Sequence, residues 1–299
     1  MIHPFCPFTS EYLYQTVFDG EQSILLDKWP QPQESLNNEK IEESFDIMKD
    51  VVSTSSAARM KGKLKRRWPL NEAQICVKKD QKIKLESLST LLQSQLNVEK
   101  FSIVETEVKS GLDQIIELEQ LGLPVKPVIA LERKKIGPKA KQHMGKLVAM
   151  FNETNPEEIS SSLQKDGKYD FDIDGEIISL DMEDFVVDFD AGENFAMAKR
   201  DDYIVFISTA RNKELMAKGL IKDIARRLQT LRKERGYNPT DVLETASILD
   251  LDEESLEMIK EKTKDLSFLV RVKQINFVES CKEYKDDDID GQKIRISVE

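Results

Sequence analysis

The amino-acid sequence predicts an α+β protein, and three stretches carry that expectation. Residues 212–235 repeat apolar side chains at helical spacing (Ala217, Leu220, Ile221, Ile224, Leu228, Leu231), the stripe of a long amphipathic helix. Residues 169–181, YDFDIDGEIISLD, alternate apolar and polar around Asp174-Gly175, a dipeptide that favours a two-residue hairpin turn. Within 72–105, two β-rich runs (Ile75, Val77; Val98, Phe101, Ile103) flank a helical stripe (Leu85, Leu88, Leu92), which reads as a small βαβ unit.

Residues 1–29 open apolar and aromatic, unlike a fraying polar chain end, so Met1 is expected to lie inside a longer parent chain. Pro4 and Pro7 set a bend, and Thr9 or Ser10 can cap a short helix carrying Tyr12, Leu13 and Val17. Residues 31–38 form a polar linker, and 36–59 a second helix with Ile41, Phe45, Met48 and Val52 on one face. That helix runs into residues 56–70, SAARMKGKLKRRWPL, the densest basic run in the chain. Residues 110–121 have no decisive period. Pro138 suits a first helical position before the stripe Ala140, Met144, Leu147, Val148 and Phe151. Asn155-Pro156 starts a short helix that Gly167 ends.

Residues 186–190, 195–198 and 203–208 read as antiparallel strands. Asn212 then caps the long helix, and Gly236 with Pro239 stops it. Beyond it, Val242, Ala246 and Ile248 fit a strand, Leu256 and Ile259 a helix, and Phe268, Val270 and Val272 another strand. DDDIDG at 286–291 reads as a turn leading into the strand KIRISV. No internal repeat stands out.

Composition narrows the chemistry. A net charge of -11, from 44 basic and 55 acidic residues, argues against indiscriminate coating of nucleic acid. It leaves room for a local basic surface, because distant charges are screened over roughly 10 Å. Cys6, Cys76 and Cys281 are odd in number and far apart, so neither a disulfide framework nor a zinc ribbon is indicated, and a reducing cytoplasm fits. His3 and His143 are too few and too distant for a His-rich metal centre or a nucleophile–histidine pair. Asp170, Asp172, Asp174 and Asp181 approach calcium-loop spacing, but their strand alternation favours the hairpin, and no metal site is expected. No apolar run is long enough to cross a bilayer, and no signal-peptide pattern is present. Walker and dinucleotide glycine signatures are absent, and no catalytic residue is identified.

A collinear series of motifs resembles the isoleucyl-tRNA synthetases, most closely the archaeal and eukaryotic-like type. Pro4-Phe5-Cys6-Pro7-Phe8 with Glu11 and Tyr14 resembles a bend late in the helical anticodon-binding domain of class I synthetases, and SILLDKWP, ending at Pro30, resembles the loop after it. Residues 57–70 resemble the hinge A-R-x-K-x-K-x-R-x-P-L, and Gln95–Lys100 the turn E-L-N-V-K. Leu123–Pro127 and Lys135–Lys139 resemble V-K-P and L-G-P-K. GLIKDIARRLQ at 219–229 with LRKERG at 231–236 resembles the family's long C-terminal helix. The resemblance runs from Pro4 to about Val272. It departs at 106–123 and at Lys222, where the family often has arginine, and beyond about Phe277 no alignment is drawn.

The resemblance implies the C-terminal portion of such an enzyme: residues 1–71 as the end of the helical anticodon-binding bundle and its basic hinge, 72–128 as a small βαβ module, and 129–299 as a C-terminal α+β domain with largely antiparallel sheets. It implies tRNA and the N-terminal catalytic body of the same enzyme as partners, with neither DNA nor a membrane. The family's His-Ile-Gly-His and Lys-Met-Ser-Lys-Ser signatures do not occur. ATP and magnesium therefore belong to the missing body, and this chain alone is expected to hold no cofactor and to be inactive. The candidate RNA-binding residues are Arg59, Lys61, Lys63, Lys65, Arg66, Arg67 and Trp68 in the hinge, then Arg226, Arg227, Arg232, Lys233 and Arg235 on the long helix. The cations would position phosphates, and Trp68 could stack on an unpaired base. Three alternatives stand beside this reading. They are a docking module with little RNA contact, a metal-dependent enzyme using Asp170, Asp172 and Asp174, and a valine or leucine relative.

Overall fold

The structure, a computed structural model, describes residues 2–17, 23–28, 31, 33–34, 37–107, 109, 111–280, 283–289 and 292–299. Met1, Trp29, Pro30, Leu36, Ser110, Cys281, the pair Asp290-Gly291 and parts of the 31–38 linker lie outside the described residues. The chain divides into residues 1–42 and 43–299.

The first unit holds helix α1 (Pro7–Val17) and a short 3-10 turn, Ile24–Leu26. Helix α1 starts at Pro7, ahead of the expected caps, because a proline at the first helical position gives up only an N–H that has no partner there. Ser10 is therefore inside the helix, its hydroxyl donating to the Pro7 carbonyl (3.0 Å) and bonded to His3 Nδ1 (2.8 Å). The motif residues Glu11 and Tyr14 form a brace. The Glu11 carboxylate accepts Ser23 Oγ (2.9 Å) and the Ile24 amide (3.1 Å), and the Tyr14 hydroxyl donates to Asp27 (3.3 Å).

The second unit takes in most of α2 (Glu39–Lys61) and everything after it. Strand β1 (Leu70–Val77), helices α3 (Lys79–Glu86) and α4 (Ser89–Leu96) and strand β2 (Val98–Glu105) form the expected crossover, with β1 and β2 parallel and the helix broken in two at Ser87-Leu88. There follow α5 (Leu112–Gln120), β3 (Val125–Leu131), α6 (Arg133–Ala140), α7 (Met144–Glu153), α8 (Pro156–Asp166), β4 (Lys168–Ile173), β5 (Glu176–Asp181) and β6 (Phe185–Ala191). The hairpin β7 (Phe195–Arg200) and β8 (Tyr203–Ser208) leads to the long helix α9 (Lys213–Glu234). The chain ends with β9 (Leu243–Leu249), α10 (Glu253–Lys260), α11 (Thr263–Val270), β10 (Val272–Phe277), β11 (Lys285–Ile289) and β12 (Gln292–Val298). The fold is α+β with mostly antiparallel pairings, as expected.

The unit contains one motif twice. Both four-stranded sheets have the same order, β2-β1-β8-β7 and β10-β9-β12-β11. In each, a long helix precedes a strand, two eight-residue helices cross over to a parallel neighbour, and a hairpin adds two antiparallel strands. Asn97 and Arg271 occupy the same left-handed position before the second strand (φ 52° and 56°). Matching bonds close each crossover, Leu70 N–H to the Asn97 carbonyl and Leu243 N–H to the Arg271 carbonyl, both 3.1 Å. The absence of a repeat, expected from sequence, is thus corrected. Residues 106–194, inserted between β2 and β7 of the first copy, hide it.

Three cores follow from this plan. Val51, Ile75, Val205 and Ile207 bury one face of the first sheet beneath α2, α3 and α4. Cys76, Ile204 and Phe206 on its other face pack against the insertion, so β8 is buried throughout, the pattern of a strand covered on both sides. The third core joins α9, α10 and α11 to the second sheet.

Other expectations are revised. The buried face of α2 runs through Met48, Val51, Ser55 and Ala58, while Ile41 and Phe45 stay exposed. Pro138 sits near the end of α6 rather than at a helix start. Its missing N–H accompanies a tightening into a 3-10 turn and a reversal at Lys141 (φ 43°). Phe268 and Val270 belong to helix α11, not to a strand. The Asp174-Gly175 hairpin is present, with φ 56° and 86°. Its carboxylates are used locally: Asp172 accepts the Gly175 amide (3.0 Å), and Asp170 pairs with Lys168 (3.0 Å). Among the described residues no cluster suits a metal ion, and no helix is long and apolar enough to cross a membrane.

Candidate nucleic-acid interface

The basic hinge follows α2 because the helix ends at Lys61 and the chain turns through Lys63 (φ 53°) toward β1. Its residues divide sharply. Arg59 is 4% exposed and gives four hydrogen bonds to backbone carbonyls: Lys65 (3.1 Å), Trp68 (3.0 Å), Leu96 (2.8 Å) and Asn97 (3.1 Å). It ties the hinge to the carbonyl end of α4, where a cation is favoured. Burial and the Arg66 charge lower its pKa to about 10, so it stays charged at neutral pH.

Arg232 repeats this on the second copy. It is 5% exposed and donates to the carbonyls of Asn238 (3.3 Å), Asp241 (2.7 Å), Arg271 (3.2 Å) and Val270. The acceptors lie 6 and 9 residues after each arginine, then 37 and 38 after Arg59 against 38 and 39 after Arg232. A phosphate could reach either guanidinium only by displacing these bonds.

Asp223 gathers three more hinge residues. Its carboxylate accepts Trp68 Nε1 (2.9 Å), Lys65 Nζ (3.2 Å) and Arg67 NH1 (3.2 Å), and the residue is 1% exposed. Burial pushes this carboxyl's pKa up. Hydrogen bonds from Trp68 and Lys65 and the charges of Lys65 and Arg67 outweigh burial and hold it below the ordinary aspartate value. One turn earlier, Gly219 lets the Trp68 indole lie against α9. A Cβ there would sit 2.5 Å from Trp68 Cδ2. Gly219→Ala is therefore expected to destabilise the chain by about 1–3 kcal/mol despite alanine's better helix propensity, as urea unfolding would report. Neither Gly219 nor Asp223 was singled out from sequence. A glycine and an aspartate four apart on an otherwise basic helix face was the available signal.

Arg227 donates to Asp287 Oδ1 (2.9 Å) and the Asp288 carbonyl, and Arg235 to the Val298 carbonyl, so both brace α9 against the last hairpin. Lys61, Lys63, Arg66, Arg226 and Lys233 are exposed, and among the described residues their side chains make no hydrogen bond or ion pair. Lys65 and Arg67 keep 42% and 46% of their side chains exposed while holding Asp223. Beside the hinge lies a cavity of about 270 Å³, lined in part by Lys63, Lys65, Trp68 and Arg211. The Arg211 guanidinium stands 5.4 Å and the Lys65 ammonium 5.6 Å from the indole centroid. The structure thus brings the hinge and the first half of α9 together, while Arg226 and Lys233 lie further along α9, two turns apart on one face.

Comparison with known proteins agrees with the motif resemblance. Residues 1–75 match the family described as the anticodon-binding domain of tRNA ligase. The isoleucine–tRNA ligase of Pyrococcus furiosus is 27% identical over 289 residues, covering 94% of this chain and 24% of that protein. Those of Clostridium acetobutylicum (26% identical, 88% and 24% covered) and Methanothrix thermoacetophila (25% identical, 100% and 28% covered) are similar to it over comparable spans. The chain spans about a quarter of the length of these relatives. The resemblance drawn from the motifs is borne out: over nearly all of its length this chain is similar to part of the isoleucine–tRNA ligases, and its first 75 residues match the anticodon-binding family.

Proposed function

We propose that this chain is the C-terminal, anticodon-side tRNA-binding portion of an isoleucine–tRNA ligase. The parent enzyme would join isoleucine to its tRNA with ATP and magnesium in a catalytic body outside these residues, and would work in the cytoplasm. The chain's part is to grip the anticodon stem-loop, so that remote binding energy positions the acceptor end for chemistry. Alone it binds RNA and catalyses nothing.

One observation carries the reading. Lys63 and Trp68 line one cavity, and Lys61 and Arg66 stand exposed in the same hinge. Among the described residues none of the three cations has a hydrogen-bond or ion-pair partner, which leaves them for phosphates near an aromatic ring. Lys65 and Arg67 support them from their exposed sides, and Arg226 and Lys233 extend the contact along α9. Arg59, Arg227, Arg232 and Arg235 serve the interface by holding its backbone rather than by touching RNA. The docking-module reading draws on Asp223, which occupies three hinge donors that RNA would otherwise use.

The combined variant Lys61→Ala, Lys63→Ala, Arg66→Ala separates the two. All three side chains are solvent-exposed, so the fold is expected to be unchanged. Affinity for isoleucine tRNA is expected to fall at least about tenfold, and the slope of log affinity against log salt to shrink by about 1 per lost phosphate contact. Unchanged affinity and slope would favour docking.

A further inference from the structure

The duplicated motif shows one face covered in the first copy and open in the second. In the first copy, helix α9 lies across the crossover. Lys218 pairs with Glu99 (2.8 Å), Lys222 donates to Asn97 Oδ1 (3.4 Å), and a groove of about 490 Å³ runs between α9 and the face formed by Pro69, Gln93, Ser94, Asn97 and Val98. The matching arginines and strands place Val242, Ser267, Phe268, Arg271 and Val272 at the equivalent positions of the second copy. These residues, with Leu269, line an open groove of about 580 Å³. Among the described residues no helix lies across it.

The open face is the more apolar of the two, the reverse of what solvation favours. Ser94 and Gln95 become Phe268 and Leu269, and Pro69 becomes Val242. Phe268 is 83% exposed, Val242 59% and Leu269 40%. An apolar cluster of this kind marks a contact surface. The charges are also reversed. Where the first copy offers Glu99 and Asn97 to two lysines, the second has Lys273, which pairs with Glu244 (2.6 Å) at the surface, and Arg271, which donates to the Thr240 carbonyl (3.4 Å).

We propose that this face of the second copy docks an amphipathic helix of a partner protein, seated as α9 is on the first copy. That helix would present two carboxylates four residues apart, in place of Lys218 and Lys222, beside an apolar stripe that covers Phe268 and Val242. A second copy of this chain fits less well, since the α2 positions equivalent to Lys218 and Lys222 are Phe45 and Lys49. The proposal is independent of RNA binding by the hinge.

The probe is a labelled peptide of residues 213–234 carrying Lys218→Glu and Lys222→Glu, titrated into the full chain by fluorescence anisotropy, with the unsubstituted peptide beside it. The substituted peptide is expected to bind at least about tenfold more tightly than the unsubstituted one. Phe268→Asp, and separately Arg271→Glu with Lys273→Glu, are expected to weaken it at least about tenfold. Phe268 is exposed, so its variant is expected to keep the wild-type circular dichroism and melting curve. Equal binding of the two peptides, no binding of either, or binding indifferent to Phe268→Asp overturns the proposal. So does a result in which Phe268→Asp removes binding of a single-stranded oligoribonucleotide instead, which would make the face an RNA platform.

Discussion

Arg232→Ala is expected to unfold the second copy of the repeated motif at a temperature where the wild type is folded, with a loss of about 3–5 kcal/mol. Arg232 is the only side chain that bonds both the turn after α9 (Asn238, Asp241) and the end of α11 (Val270, Arg271) among the described residues. Alanine leaves the Asp241 and Val270 carbonyls without a donor, while Asn238 and Arg271 keep the Asp241 and Leu243 amides (both 3.1 Å). Each buried group left unsatisfied costs about 1–3 kcal/mol, reduced where water can enter. Lysine keeps the charge but has no planar fork, so Arg232→Lys is expected to recover only part of the loss. Arg59→Ala should act alike on the first copy. Urea unfolding followed by circular dichroism measures both. If either alanine variant lost less than about 1 kcal/mol, the four-carbonyl brace would not be what holds the turn.

Asp223→Ala is expected to loosen the joint between the hinge and α9, with a loss of about 2–4 kcal/mol. It removes a buried carboxylate that accepts an indole N–H and two cationic donors, and bonds to charged groups are worth about 1.5–3 kcal/mol each before solvent screening. Lys65 and Arg67 are partly solvated, so their shares lie at the low end. The linkage has a definite sign. The folded pKa of Asp223 lies below its unfolded value, so the folded state holds fewer protons than the unfolded state between the two. The stabilisation is therefore complete above about pH 5 and is lost as pH falls through ~4 toward the folded pKa. Asp223→Asn should flatten that part of the stability–pH curve. In Asp223→Ala, emission from Trp68, read in a Trp29→Phe background, should shift because the indole N–H loses its acceptor. An acid limb of the same slope in wild type and Asp223→Asn would show that other carboxylates govern it.

How far the sequence alone reached follows from what each signal encodes. The stripe of α9, its Asn212 cap and the Asp174-Gly175 hairpin were legible because a period or a turn dipeptide is local. Helix α11 was misread because Phe268, Val270 and Val272 alternate like a strand, while its buried face is only the pair Leu266 and Val270, too short to show a helical period, with Phe268 exposed between them. The repeat was illegible because its copies share a backbone plan rather than residues, and 106–194 separates the strands of one of them. Its trace was the equal spacing from Arg59 to Leu70 and from Arg232 to Leu243. The candidate interface was found as a region but not residue by residue. An arginine that braces four carbonyls and one that faces water look the same in a basic run, and only burial separates Arg59 from Arg66. Asp223 was overlooked because a lone acid on a basic helix reads as a solvated residue until its partners 155–158 positions earlier are known.

The measurement that bears most directly on the central claim is a binding titration of this chain with isoleucine tRNA, and with the same tRNA carrying altered anticodon bases, at two salt concentrations. Binding that weakens with salt and weakens further when the anticodon changes is the expected result. No binding at low salt would contradict the claim that these residues grip the anticodon side of the tRNA.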